Sequence, residues 1–234
     1  MRSWIPNSIT LGNLFMGCLA IVLSTSNDPN RLQWGMICIV IAAVLDFFDG
    51  LVARALGISS ALGAQLDSLA DVVSFGVVPA IWASQLLPAD CWCRFIPFIL
   101  PLGAAYRLAR FNLDTNAMEH FKGLPVPASA MIWVAAIGLN EHLIKANGIG
   151  LSHTMIHLLT FITTTLMIST LPLLNLKFKG LVWKGQEIKW TLLISFILVF
   201  VISALMGKSL YYAILIAMGF YLILSFTHYK KFSS

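Results

Sequence analysis

Charge is what this sequence lacks. Only 11% of its residues are Asp, Glu, Lys or Arg, and 59% are hydrophobic, with a mean hydropathy of +0.85; soluble globular domains carry about 25% charge. A chain so poor in charge cannot cover a water-facing surface, which excludes an ordinary soluble enzyme. Long polar intervals are missing as well. Apolar runs of the roughly 20 residues needed to cross a ~30 Å hydrocarbon core recur along the length and leave no room for a water-soluble domain. Cysteine is limited to four residues. Cys18 and Cys38 fall in apolar runs, and Cys91 and Cys93 form an isolated C-x-C, so no metal pattern is spelled out and all four are expected as packing or loop residues. LSTSN, which follows the first apolar run behind Arg2, offers no small-x-small cleavage site. That run is expected to remain as the first membrane helix.

What is present is a series of apolar segments that place helices at 6–25, 32–56, 64–88, 94–112, 124–142, 153–172, 190–206 and 210–228, separated by turn and charge signals. The expected fold is all-α: a polytopic membrane helix bundle with about eight transmembrane helices, forming a single integral membrane domain over 1–234. Its catalytic core would cover about 1–172 and its C-terminal helices about 190–228. An even number of spans puts both termini on one side. Eleven of the fifteen basic residues fall on that side, and only Arg31, Arg94, Lys145 and Lys208 fall opposite. The positive-inside rule then makes both termini cytoplasmic, in the cell (inner) membrane. The net charge of +5 resides mainly in short loops beside apolar spans, so anionic membrane lipids are the expected partner and nucleic acid is not. LKFKGLVWKGQEIKW, with lysines among Phe178, Trp183 and Trp190, suits a stretch at the membrane surface. His153 and His157 fall at the face opposite the acidic stretch described next and are expected as interfacial residues.

The scarce acidic residues are unevenly spread. Of ten in the chain, Asp46, Asp49, Asp67 and Asp71 fall in DFFDGLVARALGISSALGAQLDSLAD. Residues three and four apart share a helix face, so Asp46, Asp49, Gly50 and Ala53 form one stripe, and Gly63, Asp67, Ala70, Asp71 and Ser74 another. If the faces meet with carboxylates about 6 Å apart, each like-charge pair costs on the order of 3 kcal/mol at an effective dielectric near 20. Six such pairs exceed typical folding stability unless protons or cations intervene. An all-oxygen donor set favours Mg²⁺, Mn²⁺ or Ca²⁺ over Zn²⁺, and four carboxylates suffice for two cations, an arrangement suited to phosphate esters. Arg54 lies off the stripe by helical angle but is long enough to clamp a phosphate; the alternative is an arginine that snorkels at a helix end.

The pattern Asp46-x2-Asp49-Gly50-x2-Ala53-Arg54-x8-Gly63-x3-Asp67-x3-Asp71 resembles, without departure, the signature of the CDP-alcohol phosphotransferases. The resemblance implies a membrane enzyme, with a homodimer as the family expectation, that moves a substituted phosphoryl group from a CDP-linked donor to an alcohol and releases CMP. It implies that Asp46, Asp49 and Asp67 bind two divalent cations, Mg²⁺ or Mn²⁺, that Asp71 is both ligand and general base, and that Gly50, Ala53 and Gly63 admit the nucleotide. It also makes Asn7 and Thr10 candidate donor contacts, from a first-helix stripe of Pro6, Asn7, Thr10, Asn13 and Gly17 that would otherwise serve helix packing. PNSITLGN, ARFN and GLPVPA resemble the membrane-embedded, phosphatidylserine-forming branch, which implies CDP-diacylglycerol as donor and L-serine as acceptor. Arg107, Arg110 and Lys122 gather on the aspartate side; Arg110, Asn112 and Lys122 are the candidates for binding the acceptor or a phosphate. Two other readings remain: a sibling transferase using glycerol 3-phosphate or an inositol phosphate, and a cation transporter with the aspartates as coupling site.

Overall fold

The computed structural model describes residues 4–26, 28, 30–58, 60–113, 123–171 and 210–232, and among these there is no strand. The helices are α1 (Trp4–Ser24), α2 (Arg31–Ala55), α3 (Ala61–Gln85), α4 (Ile99–Leu113), α5 (Val126–Asn147), α6 (His153–Ile168) and α7 (Leu210–Phe232). α1, α2 and α3 are long and apolar enough to cross a membrane. The helix expected at 190–206 and the lysine- and tryptophan-bearing stretch before it lie outside the described residues.

Local chemistry sets the boundaries. Ser60 caps α3, its Oγ accepting from Gly63 N at 3.0 Å, as a hydroxyl does for an otherwise unsatisfied first-turn donor. α3 is interrupted by a π-turn over Val72–Val77, and Pro79 stands in the first turn of the α-helical segment that resumes after it, where the missing donor costs least. The helix expected from 94 begins as a 3-10 turn, Trp92–Phe98, which contains Pro97; regular α-helix starts at Ile99. α5 runs past the expected 142 to Asn147 and stops where Gly148 adopts φ +70°, a left-handed terminator that glycine occupies without strain. One expectation is corrected. Cys91 and Cys93 are not merely loop residues but form a disulfide, because the turn into the 3-10 segment holds their Cα atoms 5.1 Å apart, within bridging range.

Packing follows from which residues are small. The buried face of α1 is Pro6, Thr10, Asn13, Gly17, Ala20 and Ser24, spaced by three and four. α1 lies along α2 and along both halves of α3. At Gly17 a Cβ would stand 2.9 Å from the Ser74 Cα, so only glycine allows the two backbones to come this close. α4 packs on α6, and α5 on α7. The centre holds Trp82, Trp133, Phe75, Leu100 and Tyr221, all buried, whereas Phe15, Val22, Leu69, Leu102 and Phe161 point outward. An apolar exterior around a core that includes polar groups is what a hydrocarbon solvent permits.

The α5–α7 contact gives a paired prediction. A Cβ at Gly138 would collide with the Tyr211 ring, whereas one at Gly219, also on α7's side of the bundle, meets nothing. Gly138→Ala is expected to destabilise the detergent-solubilised protein by about 1–3 kcal/mol, and Gly219→Ala to be neutral or stabilising by up to about 1 kcal/mol. Thermal unfolding of both variants checks this.

Candidate active site

The last turns of α2 and the first turns of α3 are joined by only Leu56–Ser60, and α1 closes the angle between them. Asp46 and Asp49, one turn apart, therefore face Asp67. Each offers a carboxylate oxygen, and the three oxygens lie within 4.8 Å of one another. Asp49 is buried, while Asp46 and Asp67 are partly so. Thr10 Oγ1 donates to Asp49 Oδ2 at 2.5 Å, its other acceptor in range being Pro6 O at 3.1 Å; the shorter contact is typical of a hydroxyl bonded to an ionised carboxylate. Asp71 stands one turn deeper, 5% exposed, and its Oδ1 accepts from Asn13 Nδ2 at 3.3 Å. Arg107 of α4 is buried, with Asp71 and the Tyr221 hydroxyl within electrostatic reach.

At 4.8 Å and an effective dielectric near 20, each pair of ionised carboxylates costs about 3 kcal/mol, and three pairs together approach the whole stability of a typical domain. A divalent cation removes that cost. Oxygens that share one ion at 2.0–2.6 Å lie at most about 4–5 Å apart, so the spacing of Asp46, Asp49 and Asp67 fits a hard cation held between them, and the donor set contains no nitrogen or sulfur that would favour zinc.

Beside the carboxylates opens a cavity of about 520 Å³, lined by Asn7, Thr10, Asp49, Gly50, Ala53, Arg54, Gly63, Asp67 and Asn112 among others. Its walls are wide where side chains are absent. The space a Gly63 Cβ would take ends 3.1 Å from Asn7 Oδ1, and at Gly50 the corresponding space ends 3.2 Å from the Arg54 guanidinium. Arg54 thus folds back across Gly50 towards the cavity. All six residues expected to meet the donor, Asn7, Thr10, Gly50, Ala53, Arg54 and Gly63, lie on this one cavity.

The expected acceptor residues are placed less uniformly. Asn112 lines the cavity and donates from Nδ2 to Ser68 Oγ at 2.9 Å. Arg110 is half-buried on α4 and does not line it, and Lys122 lies outside the described residues. Arg107, expected on the aspartate side, does lie near Asp71 and is packed into the core there. Two residues beside Asp71, Asn13 and Ser74, had no catalytic role in the sequence reading, although both were visible as members of polar stripes. Tyr221 neighbours Arg107 rather than Asp71, and nothing in the sequence connects those two across 114 positions.

Three-carboxylate clusters beside a glycine-walled cavity in a membrane helix bundle suit charge-neutralised phosphate chemistry, and the chain's relatives give that class a name. Residues 3–173 match the CDP-alcohol phosphatidyltransferase family, and the chain belongs to it. Among curated proteins it is 33% identical over 227 residues to the CDP-diacylglycerol–serine O-phosphatidyltransferase of Helicobacter pylori, covering 93% of this chain and 87% of that protein. It is 33% identical over 167 residues to the Bacillus subtilis protein of the same name, covering 68% and 90%. The archaeal protein of that name from Methanocaldococcus jannaschii is 36% identical over 143 residues, covering 61% and 65%.

Calorimetry with Mn²⁺ on the solubilised protein is expected to show saturable binding that Asp67→Asn weakens at least about tenfold. Unchanged binding in that variant would place the cation elsewhere.

Proposed function

We propose that this chain transfers the phosphatidyl group of CDP-diacylglycerol to the hydroxyl of L-serine, giving phosphatidylserine and CMP. The observation that carries the reading is the single cavity whose floor is Asp49 and Asp67 and whose walls are Gly50, Ala53 and Gly63; the relatives' shared name supports the choice of donor and acceptor. The cavity has the size expected of a small-molecule site. Its glycine walls accommodate the cytidine moiety, Asn7 and Thr10 approach from α1, and Arg54 offers a planar pair of donors to a phosphate.

Asp46, Asp49, Asp67 and Asp71 are the residues that would hold two divalent cations, Mg²⁺ or Mn²⁺, which supply charge neutralisation for a pyrophosphate and for departing CMP. Asp71 accepts the proton of the serine hydroxyl. The serine Oγ then forms a bond to the phosphorus that carries diacylglycerol, and the bond from that phosphorus to the bridging pyrophosphate oxygen breaks, leaving CMP with the electron pair. Arg110 and Lys122 hold the serine carboxylate or the donor's phosphate, with Asn112 at the cavity edge. Burial of Asp49 and Asp71 keeps bulk water from the position where the proton is taken, which limits hydrolysis of the donor.

The same reading places the protein in the cell (inner) membrane as a homodimer of eight-span subunits, with the aspartates and both termini facing the cytoplasm. The excess of basic residues on the N-terminal side supports this orientation, and a cytoplasmic site gives a water-soluble amino acid direct access.

An acceptor panel tests the assignment. Purified protein with CDP-diacylglycerol and Mn²⁺ is expected to release CMP with L-serine and not with glycerol 3-phosphate or inositol phosphate; release with glycerol 3-phosphate alone would move the protein to a sibling activity. Excess chelator is expected to stop CMP release and added Mg²⁺ or Mn²⁺ to restore it. Asp71→Asn, which preserves shape and removes the base, is expected to lower the rate by at least about 100-fold; a full rate at neutral pH would remove Asp71 from the role of base.

A further inference from the structure

Asp71 is bonded by a residue that belongs to a different helix and lies outside the aspartate pattern. Asn13 is 0% exposed in the centre of α1. Its Nδ2 donates to Asp71 Oδ1 at 3.3 Å, while its backbone carbonyl accepts from Ser74 Oγ at 3.0 Å. Asp71 and Ser74 are one turn apart on α3, at the junction where regular α-helix ends and the π-turn over Val72–Val77 begins. One asparagine therefore touches both sides of that junction. The distance between α1 and α3 is set at the same level by Gly17, whose missing side chain admits Ser74.

We infer that Asn13 is the positioning residue of the site: by holding Oδ1 of Asp71 it fixes the orientation of the carboxylate that takes the acceptor's proton. This rests on Asp71 being the base. Three observations argue against a packing role alone. The other amide atom, Asn13 Oδ1, is buried without a hydrogen-bond partner among the described residues, a cost that leucine, of nearly the same size, would avoid. Exchanging the amide's oxygen and nitrogen would turn an acceptor towards a carboxylate, so the donor assignment follows from the chemistry of the partner. The Ser74 bond to Asn13's own carbonyl holds the backbone from which that donor projects, and a π-turn at this point is the kind of irregularity that helices carry at functional sites.

A hydrogen bond to an ionised group predicts the size of the effect. Asn13→Leu, which fills the same space without a donor, is expected to lower kcat for CMP release about 10- to 100-fold while the KM for CDP-diacylglycerol stays within about threefold. Ser74→Ala, which leaves the Asn13 side chain intact, is expected to lower kcat about fivefold. The double variant is expected to be no slower than Asn13→Leu, since the serine acts through the asparagine. Wild-type kcat in Asn13→Leu overturns the inference, as does a fall carried entirely by KM. Should Asn13→Leu fail to fold, Ser74→Ala decides, and an unchanged kcat there overturns the inference equally. A wild-type protein that releases no CMP with any alcohol removes the base itself, a failure separable from the variants because it appears without them.

Discussion

Like charges that must sit together in a medium that resists charge set the terms for this molecule. Asp46, Asp49 and Asp67 bring carboxylate oxygens within 4.8 Å of one another inside a chain with few ionisable groups of any kind, and the repulsion rivals the stability of a folded domain. The surrounding architecture answers it. A short α2–α3 connection fixes the geometry, Thr10 donates into the cluster, and Arg107 sets a buried positive charge near the deepest carboxylate. Counter-charge from a bound cation would complete the compensation, and would make cation binding and the integrity of the α1–α3 region parts of one equilibrium.

The small residues are the complement of that repulsion. Gly17 brings α1 against α3, so that Asn13 reaches Asp71. Gly50 and Gly63 withhold side chains where the cavity needs width. The aspartates concentrate negative charge and the glycines leave space beside it, and both lie on the same helical stripes because residues at three- and four-residue spacing share a face. Placement by helix, rather than by loop, also explains how rigid a site of this kind can be: Asp46, Asp49, Asp67 and Asp71 all project from regular α-helical turns.

Much of this was legible in the sequence. The stripes on α1, α2 and α3 follow from helical period alone, and the structure brings Asn7, Thr10, Gly50, Ala53 and Gly63 to one cavity as those stripes imply, with Arg54 reaching it from off the stripe. Helix starts and stops shifted where local chemistry overrode hydropathy: Pro97 sits in the 3-10 entry to α4, and Gly148 lets α5 run on to Asn147. Hydropathy is blind to a π-turn, because Val72–Val77 is as apolar as any helical turn, so the junction below Asp71 left no trace in the pattern. The burial of Arg107 left no trace for a related reason. Positive residues at span ends carry an orientation signal, and only the packing of α4 against α3 shows which one turns inward. The Cys91–Cys93 bridge was missed because adjacent thiols are usually sought with distant partners.

The brevity of the Leu56–Ser60 connection also orders events during synthesis. All four aspartates are complete by residue 71, and Arg107 follows only after another 36 residues. Chains are made and inserted from the N-terminus, so the nascent hairpin of α2 and α3 meets the membrane with its carboxylates gathered and its own buried arginine not yet made. Arg54, already made within that hairpin, and protons or cations from the surrounding water are the neutralising charges at that stage. The gathered carboxylates are, for that interval, a requirement on the conditions under which the protein can be born.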